Sequence, residues 1–401
     1  MEPQEHSAHN RQVVRNTRGG CSATAYSFRE QAVSRADEIG LALSGGGVRA
    51  TVFHLGVLDR LAADSLLERV RFISTVSGGS LAAALVFALA DSQWPSSRWY
   101  REEILPRARG ILTGQNLQRS YALRSLLLPW RLLAGRASIL ADLLEEKWDV
   151  HGRLSQLPKQ PRWIVNTTCY ETGKNFRFMN ERMGDYVTGY VLDPSFPVSK
   201  AVAASAAFPG LIGPLSLKCG QYAWHRNSDS TAERIDPDFR KLHLWDGGVY
   251  DNLGVEALFK PGHGIRDGVD FLIVSDASAP LRSGVARARA PLRLVDVATD
   301  QVRALRARII VSHFLADAES GVYLRIGNTS DRIYEQAGAQ RTRGQKNDLS
   351  RDDVGRLARM KTTLRRLTAQ EFSDLLRHGY EVADSTLSAY CPGRFSSRPL
   401  Q

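Results

Sequence analysis

Short apolar runs alternate with helix-spaced apolar positions where the patterned part of the chain begins. The runs Ile39–Leu43 and Val70–Val76 each predict a buried strand. One helix face is predicted between them, formed by Val48, Val52, Leu55, Leu58 and Leu61. The apolar segment Leu81–Ala90 predicts a second helix. This succession is typical of a βαβ unit, in which a right-handed crossover makes the two strands parallel.

Later apolar runs extend this pattern. Four further strands are expected, at 162–166, 242–245, 271–275 and 321–326. Helices are expected in two Arg-rich stretches and at the end of the chain, near 287–308, near 351–366 and over 369–387. Strands interspersed with helices predict an α/β fold, in which ligands bind at the carboxyl edge of the sheet.

A serine follows the second predicted strand and precedes two glycines, in the run Ser77-Gly78-Gly79. A tight strand-to-helix turn of this kind lifts a hydroxyl clear of the sheet, as in a nucleophile elbow, and the next helix points its N-terminus at it. A serine N-cap in a glycine-rich turn would use the same residues. Ser77 is therefore a candidate nucleophile, and the capping turn is the alternative.

The first predicted strand runs into Gly45-Gly46-Gly47, directly before a helix. Backbone N–H groups in such a loop can bind an oxyanion or a phosphate. The run matches neither of the glycine patterns of nucleotide-binding loops, which favours an oxyanion hole. Arg49 could hold this loop by hydrogen bonds to backbone carbonyls, or it could simply be solvated.

An aspartate closes the predicted strand at 242–245 and precedes Gly247 and Gly248. A carboxylate at the end of a strand, beside small residues, is well placed to act as a catalytic base. Because the ordinary pKa of aspartate is about 4, Asp246 would need a dry site to be effective. An Asp-Gly turn without chemistry is the alternative.

Four blocks of the sequence resemble those of the patatin-like phospholipases. Residues 44–49 resemble the family's GGGxR block, and residues 75–79 resemble its GxSxG elbow. Residues 203–209 resemble its small-residue block that ends in proline, and residues 246–252 resemble its DGG/DGA block. Thr75 stands where the family usually has glycine. The resemblance covers about residues 40–255.

The resemblance implies a three-layer α/β patatin-like fold with a mainly parallel central sheet flanked by helices. It implies a phospholipase A-type lipid acyl hydrolase that cleaves membrane-lipid esters through an acyl-enzyme on Ser77, with Asp246 as the base and no catalytic histidine. The implied oxyanion-hole residues are Gly45, Gly46 and Gly47. The implied supporting residues are Arg49, Gly78, Gly79, Gly247, Gly248 and Asn252.

The expected organisation has three parts. Residues 1–35 form a loosely ordered lead-in, and residues 36–330 form the patatin-like hydrolase domain with a helical insertion near 95–160. Residues 331–401 form a helical C-terminal region that packs on the domain. Within the insertion, the amphipathic Leu-rich stretch 122–148 could be a lid or membrane-docking surface, with Arg124, Arg131 and Arg136 facing head groups, or a helix pair covering the sheet.

Composition and charge limit the classes of binding partner that we expect. The 401 residues carry a formal net charge of +11, which suits an anionic membrane surface; no nucleic-acid-binding motif accompanies the charge, so nucleic acid is not expected. The four cysteines are far apart, so neither a disulfide framework nor a metal site is predicted, and no cofactor is expected. No secretion signal or membrane-spanning run is readable, which predicts a cytoplasmic protein that binds membranes peripherally.

Two other functions stay open from the sequence. A Ser-His-Asp esterase would use Ser77, Asp276 and His313 in that chain order, with His243 and His263 as further histidine candidates. A catalytically inactive lipid-binding module is the second alternative, because Thr75 departs from the family pattern beside the nucleophile.

Overall fold

The computed structural model describes residues 38–127, 135–209, 211–227, 233–281, 290–340 and 348–400. The expected lead-in, 1–35, lies outside these residues. Within them, one large sheet comprises twelve strands: β1 (Ile39–Leu43), β2 (Val70–Thr75), β3 (Arg162–Cys169), β4 (Asn175–Phe178), β5 (Arg182–Asp185), β6 (Gly189–Leu192), β7 (Leu215–Lys218), β8 (Trp224–His225), β9 (Arg234–Ile235), β10 (Lys241–Asp246), β13 (Phe271–Asp276) and β14 (Gly321–Arg325). A separate hairpin comprises β11 (Phe259–Lys260) and β12 (Gly264–Ile265).

The centre of the sheet is parallel, in the order β14-β13-β1-β2-β3. Strand β1 lies in the middle, with Leu43 opposite both Thr75 and Ser275. The carboxyl ends of three strands therefore meet at one edge, directly before the glycine loop and the Ser77 turn. This confirms the predicted α/β class and its parallel central sheet.

Beyond β3 the sheet continues as an antiparallel extension that the sequence pattern did not reveal. Strands β4, β5, β6, β8 and β9 follow one another there, and β7 and β10 pair with each other. Apart from β10, these strands are two to four residues long. Alternation over so few residues gives no readable period, which is why only β10 was predicted, at 242–245.

Twelve helices flank the sheet within the described residues: α1 (Gly47–Ala63), α2 (Gly78–Leu89), α3 (Ser97–Trp99, continued by a π-helical turn at Tyr100–Ile104), α4 (Leu105–Gly114), α5 (Leu117–Leu127), α6 (Ala137–Trp148), α7 (Val198–Ser205), α8 (Gly248–Asp251), α9 (Ala290–Ala316), α10 (Ser330–Ala337), α11 (Arg351–Ala358) and α12 (Ala369–Tyr390). The helix expected near 351–366 is wrong beyond Ala358. The backbone there is used differently, because the Thr363 carbonyl accepts a hydrogen bond from the amide of Val48 at 3.0 Å.

Apolar side chains form separate cores on the two faces of the sheet. Leu41 and Leu43 of β1 pack with α1, α2 and α12, whereas Ala42 between them packs with Ile310 and Phe314 of α9. Successive strand residues point to opposite faces, so both faces must be covered. This arrangement is the predicted three-layer sandwich.

Helices α1 and α12 cross with their backbones in contact. A Cβ on Gly56 would lie 2.0 Å from the carbonyl oxygen of Leu376, and a Cβ on Gly379 would lie 2.0 Å from that of Phe53. One turn further along α1, the fully buried Arg60 donates to Asp384 at 2.6 Å. The crossing fixes the C-terminal helix against the helix that leaves the glycine loop.

Candidate active site

Ser77 occupies a strained turn between β2 and α2. Its backbone has φ +48° and ψ −110°, a conformation that L-residues rarely adopt and that costs on the order of 1–3 kcal/mol. A Cβ on Gly78 would lie 2.5 Å from the Gly47 carbonyl oxygen, and one on Gly79 would lie 2.2 Å from that of Leu43. The two glycines thus let the turn press against β1 and the glycine loop. This is the geometry of a nucleophile elbow.

The glycine loop turns through two positive φ angles, +147° at Gly46 and +60° at Gly47. Among the described residues, the amides of Gly46 and Gly47 bond to no acceptor, and neither does the amide of Gly78 at the start of α2. The expectation for Gly45 needs correction, because its amide already donates to the Asn252 carbonyl at 3.0 Å. The amides of Gly46, Gly47 and Gly78 are therefore the candidate oxyanion donors.

Arg49 is buried beneath the glycine loop. Its guanidinium donates to the carbonyl oxygen of Ala277, at 2.9 Å, and to that of Met360. A Cβ on Gly46 would lie 2.6 Å from the same guanidinium. Arg49 thus joins the loop to the segment after β13 and to the C-terminal region, as one of its two sequence interpretations anticipated.

Asp246 meets Ser77 because two strands share one edge of β3. Strand β2 pairs with β3 as far as Thr75 opposite Val165, and β10 continues along β3 in the opposite direction, ending with Asp246 opposite Thr167. The turn after β2 and the end of β10 therefore face each other. The position follows from the antiparallel extension, which the sequence pattern did not reveal.

The Asp246 carboxylate is buried, and its burial raises its pKa from 3.8 to about 6. Hydrogen bonding from the Gly248 amide, at 2.8 Å, and the nearby Ser77 hydroxyl oppose that rise. A carboxylate with this pKa is ionised at neutral pH, yet it takes up a proton more readily than an exposed aspartate. These are the properties that a general base needs.

Asn252 connects the loops around the base. Its carbonyl accepts from Gly45, and its amide side chain donates to the Ser278 hydroxyl at 2.8 Å. A Cβ on Gly248 would lie 2.5 Å from the Asn252 side-chain oxygen, and one on Gly247 would lie 2.4 Å from the Asn166 carbonyl oxygen. The glycines after Asp246 thus allow close packing around Asn252, which lines the same cleft as Ser77.

Ser205 is a site residue that was recognised from sequence only as part of a block. Its hydroxyl accepts from the Ser77 amide at 3.0 Å, and its carbonyl accepts from the Gly247 amide at 3.3 Å. The neighbouring Ala207 carbonyl accepts from the Asp246 amide at 3.1 Å. The proline-ended block therefore contacts both sides of the site.

Ser77 and Asp246 lie in a cleft of about 610 Å³. Two walls of the cleft come from regions whose role the sequence did not define. Helix α9 supplies Arg293, Val295, Asp296, Thr299, Asp300 and Arg303, and the segment after α11 supplies Met360, Lys361, Thr362 and Thr363. Neither wall carries a motif, so only their position in the fold identifies them.

The histidine alternative finds no support in this cleft, since none of the described residues that line it is a histidine. His313 packs its ring against Phe259, with 5.0 Å between centroids, and His243 bonds to Glu171. The Asp276 carboxylate accepts from Arg303 and from other groups. The alternative Ser77–Asp276–His313 arrangement is therefore not formed by the described side chains.

One part of the Leu-rich stretch covers the sheet, and another part is exposed as a lid or docking surface would be. Ile139 and Leu143 are buried in α6 and cover the core, whereas Leu126 of α5 is 78% exposed. Arg124 is ion-paired with Glu146 at 2.6 Å instead of facing solvent alone. Leu128, Trp130, Arg131, Leu132 and Leu133 lie outside the described residues.

Two further features are absent from the described part of the chain. No helix in it is long and apolar enough to cross a membrane. It also contains no group of three or more histidine, cysteine or acidic side chains arranged to hold a metal ion.

Known proteins resemble this chain in both sequence and fold. The patatin-like phospholipase family model matches residues 41–259. A patatin-like phospholipase domain-containing protein of Aspergillus oryzae is 24% identical over 270 residues, and one of Coccidioides immitis is 27% identical over 180 residues. The alignments cover 67% and 44% of this chain but only 33% and 22% of those relatives, so the chain matches a third or less of their length.

Solved structures extend the likeness to the fold. Human GIVD cytosolic phospholipase A2 superposes with a TM-score of 0.50 at 15% identity, covering 88% of this chain and 63% of that chain. The same enzyme in complex with methyl gamma-linolenyl fluorophosphonate gives 0.50 at 16% identity, covering 88% and 58%. These structures show the fold, and the family model spans more than half of the sequence. The chain therefore belongs to the patatin-like phospholipase family.

Proposed function

We propose that this protein is a lipid acyl hydrolase that cleaves carboxylic esters of membrane lipids through a Ser77–Asp246 dyad. The observation that carries the proposal is the strained Ser77 turn facing a buried carboxylate of raised pKa, beside amides that bond to no described acceptor. Nucleophile, base and oxyanion donors are the three parts that acyl transfer requires.

In the proposed reaction, the Ser77 oxygen attacks the ester carbonyl while its proton passes to Asp246. The amides of Gly46 and Gly47 stabilise the oxyanion, and the N-terminus of α2 favours the same negative charge. Collapse expels the alcohol, which takes the proton from Asp246, and leaves an acyl-enzyme on Ser77. Asp246 then takes a proton from water, the hydroxide attacks the acyl carbonyl, and the fatty acid leaves as the Ser77 oxygen takes the proton back from Asp246.

The mouth of the cleft supports an acyl lipid as the substrate. Phe208 and Leu281 line it and are 40% and 37% exposed, so both offer apolar surface to a bound acyl chain. Arg293 and Lys361 line the same cleft. Apolar and basic side chains together suit an acyl chain that carries an anionic head group.

The test combines a covalent probe with product analysis. A long-chain alkyl fluorophosphonate should modify Ser77, forming an oxygen–phosphorus bond as fluoride leaves, and mass spectrometry should locate the label on that residue. Phospholipid vesicles incubated with the protein should release free fatty acid. Ser77→Ala should lose both signals.

Ser320→Ala is the matched control. Ser320 is 8% exposed, as Ser77 is, but it lies directly before β14 and its hydroxyl donates to the Asp317 carbonyl. It should keep both signals. A well-folded wild-type protein that takes up no label and releases no fatty acid would instead favour the inactive lipid-binding module.

A further inference from the structure

A line of buried hydroxyl groups lies behind the nucleophile elbow. The indole N–H of Trp163 lies 2.9 Å from the Thr75 oxygen, which lies 2.9 Å from the Ser80 oxygen. The Ser80 oxygen lies 2.8 Å from that of Ser205, and Ser205 also accepts from the Ser77 amide. The three hydroxyl-bearing residues are completely buried, so the line is closed to bulk water.

The chemistry of the two ends fixes the direction of every proton in the line. An indole N–H can only donate and a carbonyl can only accept, and each hydroxyl has a single proton to donate. Ser205 donates its proton to the Asn166 carbonyl at 2.8 Å, so it must accept from Ser80. Thr75, which accepts from Trp163, then donates to Ser80 at 2.9 Å, the nearer of its two acceptors, the other being the Ile164 carbonyl at 3.4 Å. Both lone pairs of Ser205 are therefore occupied, one by Ser80 and one by the Ser77 amide.

We propose that Thr75, Ser80 and Ser205 are positioning residues that hold the backbone of Ser77 in its strained turn. The inference rests on the proposed function, because it assigns a role to groups that act through the nucleophile. A residue with φ +48° relaxes unless its surroundings fix it, and a Ser77 amide bonded to an oriented hydroxyl is such a restraint. Thr75 thereby supplies a group that glycine, usual at this position, lacks.

The same line ties the two sides of the dyad together. Through its hydroxyl Ser205 holds the Ser77 amide, and through its carbonyl it holds the amide of Gly247, next to Asp246. None of the three hydroxyls lines the cleft, so none contacts the substrate. Their loss should therefore lower the rate of attack and leave substrate affinity unchanged.

Thr75→Val tests this, because it removes the hydroxyl and keeps the shape of the side chain. We expect the rate of Ser77 labelling by a long-chain alkyl fluorophosphonate to fall, together with kcat, by roughly tenfold or more, since small misplacements of a reacting group have large effects. KM should not change. Thr75→Ser keeps the hydroxyl and should restore labelling and kcat towards the wild-type rates.

Thr386→Val is the matched control, because Thr386 is also buried, at 4% exposure, and among the described residues its hydroxyl donates only to the Val382 carbonyl in its own helix. It should label at the wild-type rate. Thr75→Val leaves the indole N–H of Trp163 without an acceptor and should lower stability. Adding Trp163→Phe removes that donor, so the double variant should regain stability without regaining the labelling rate.

The outcomes separate the two proposals. If well-folded Thr75→Val labels and turns over at the wild-type rate, or if its loss disappears when stability is regained in the double variant, the positioning role is overturned and the dyad stands. If wild-type protein takes up no label at Ser77, the proposed function is overturned, and the positioning role with it.

Discussion

Helix α1 contacts the rest of the molecule in two contrasting ways. At its start, the amides of Gly46 and Gly47 have no bonded acceptor among the described residues, and Gly46 lines the cleft. In its middle, Gly56 packs directly against the backbone of α12, and Arg60 has protein acceptors around its guanidinium. Glycine and buried charge occur in both regions. The difference is whether the protein itself supplies the polar partners.

Two buried aspartates show the same contrast. Asp384 accepts from Arg60 at 2.6 Å, from the Ser397 hydroxyl at 2.7 Å and from the Arg398 amide at 2.7 Å. Asp246 has no cation among the causes of its pKa shift, and burial raises that pKa to about 6. A buried carboxylate that is fully paired stabilises the fold, whereas one that is poorly compensated is available for proton transfer.

The largest expected effect comes from neutralising each aspartate in turn. Asp246→Asn should lower kcat by about 10²–10⁴, the range for loss of a general base. It should also raise the free energy of unfolding at pH 8, because it removes a poorly compensated buried charge. Steady-state kinetics and urea unfolding curves measure the two effects.

Asp384→Asn should have the opposite effects, a lower free energy of unfolding and no loss of activity in the folded protein. It removes one of the two carboxylates that pair with the buried Arg60 and leaves only Asp64, so the free energy of unfolding should fall, by at most about 3–5 kcal/mol. Activity should persist at temperatures where the variant is folded. If Asp384→Asn abolishes activity in folded protein, or Asp246→Asn leaves it intact, the division between a structural and a reactive carboxylate is wrong.

A smaller effect is expected from adding a methyl group to a glycine in each region. Gly46→Ala places a Cβ at φ +147°, 2.6 Å from the Arg49 guanidinium, and should displace the oxyanion amides. The loss in kcat should approach the 10²–10³ range seen when one such donor is removed. Fluorophosphonate labelling rates measure this loss separately from lipid binding.

Gly379→Ala is the counterpart in the helix crossing. Its Cβ would lie 2.0 Å from the Phe53 carbonyl oxygen, so α12 must shift away from α1. Overpacking of this kind destabilises by about 1–3 kcal/mol, and labelling of the folded variant should stay at the wild-type rate. A labelling rate as low as that of Gly46→Ala would show that the crossing and the site are coupled.

The sequence predicted the part of this site that is local in the chain. The strand before Ser77, the glycine loop after β1 and the Asp-Gly-Gly turn all carry short signals that depend on neighbouring residues. The α9 wall carries no such signal, because it reaches the site only through the fold. Ser205 was recognised only as part of the block at 203–209, and the fold alone shows its contact with Ser77. The assignment of Gly45 to the oxyanion hole was wrong for a similar reason, since its acceptor, Asn252, lies far away in sequence.

The antiparallel extension shows the same limit for the fold. The parallel centre was predicted because its strands are apolar runs of five or six residues, such as β1 and β13. Strands β4, β5 and β6 have only four residues each and gain their stability from pairing with β3 and with one another. Yet this extension is what brings β10, and with it Asp246, along β3 to the nucleophile.

Activity and the free energy of unfolding should depend on pH with opposite signs. As a base, Asp246 must be ionised, so kcat/KM should be level above about pH 6 and fall about tenfold per pH unit below it. The free energy of unfolding changes in the opposite direction. Because the folded pKa, about 6, lies above the usual 3.8, the wild type loses stability from this group as pH rises from about 4 through 6. Asp246→Asn should therefore be more stable than the wild type at pH 8 and equal to it near pH 4. A stability difference that is the same at both pH values would show that Asp246 is not the titrating group.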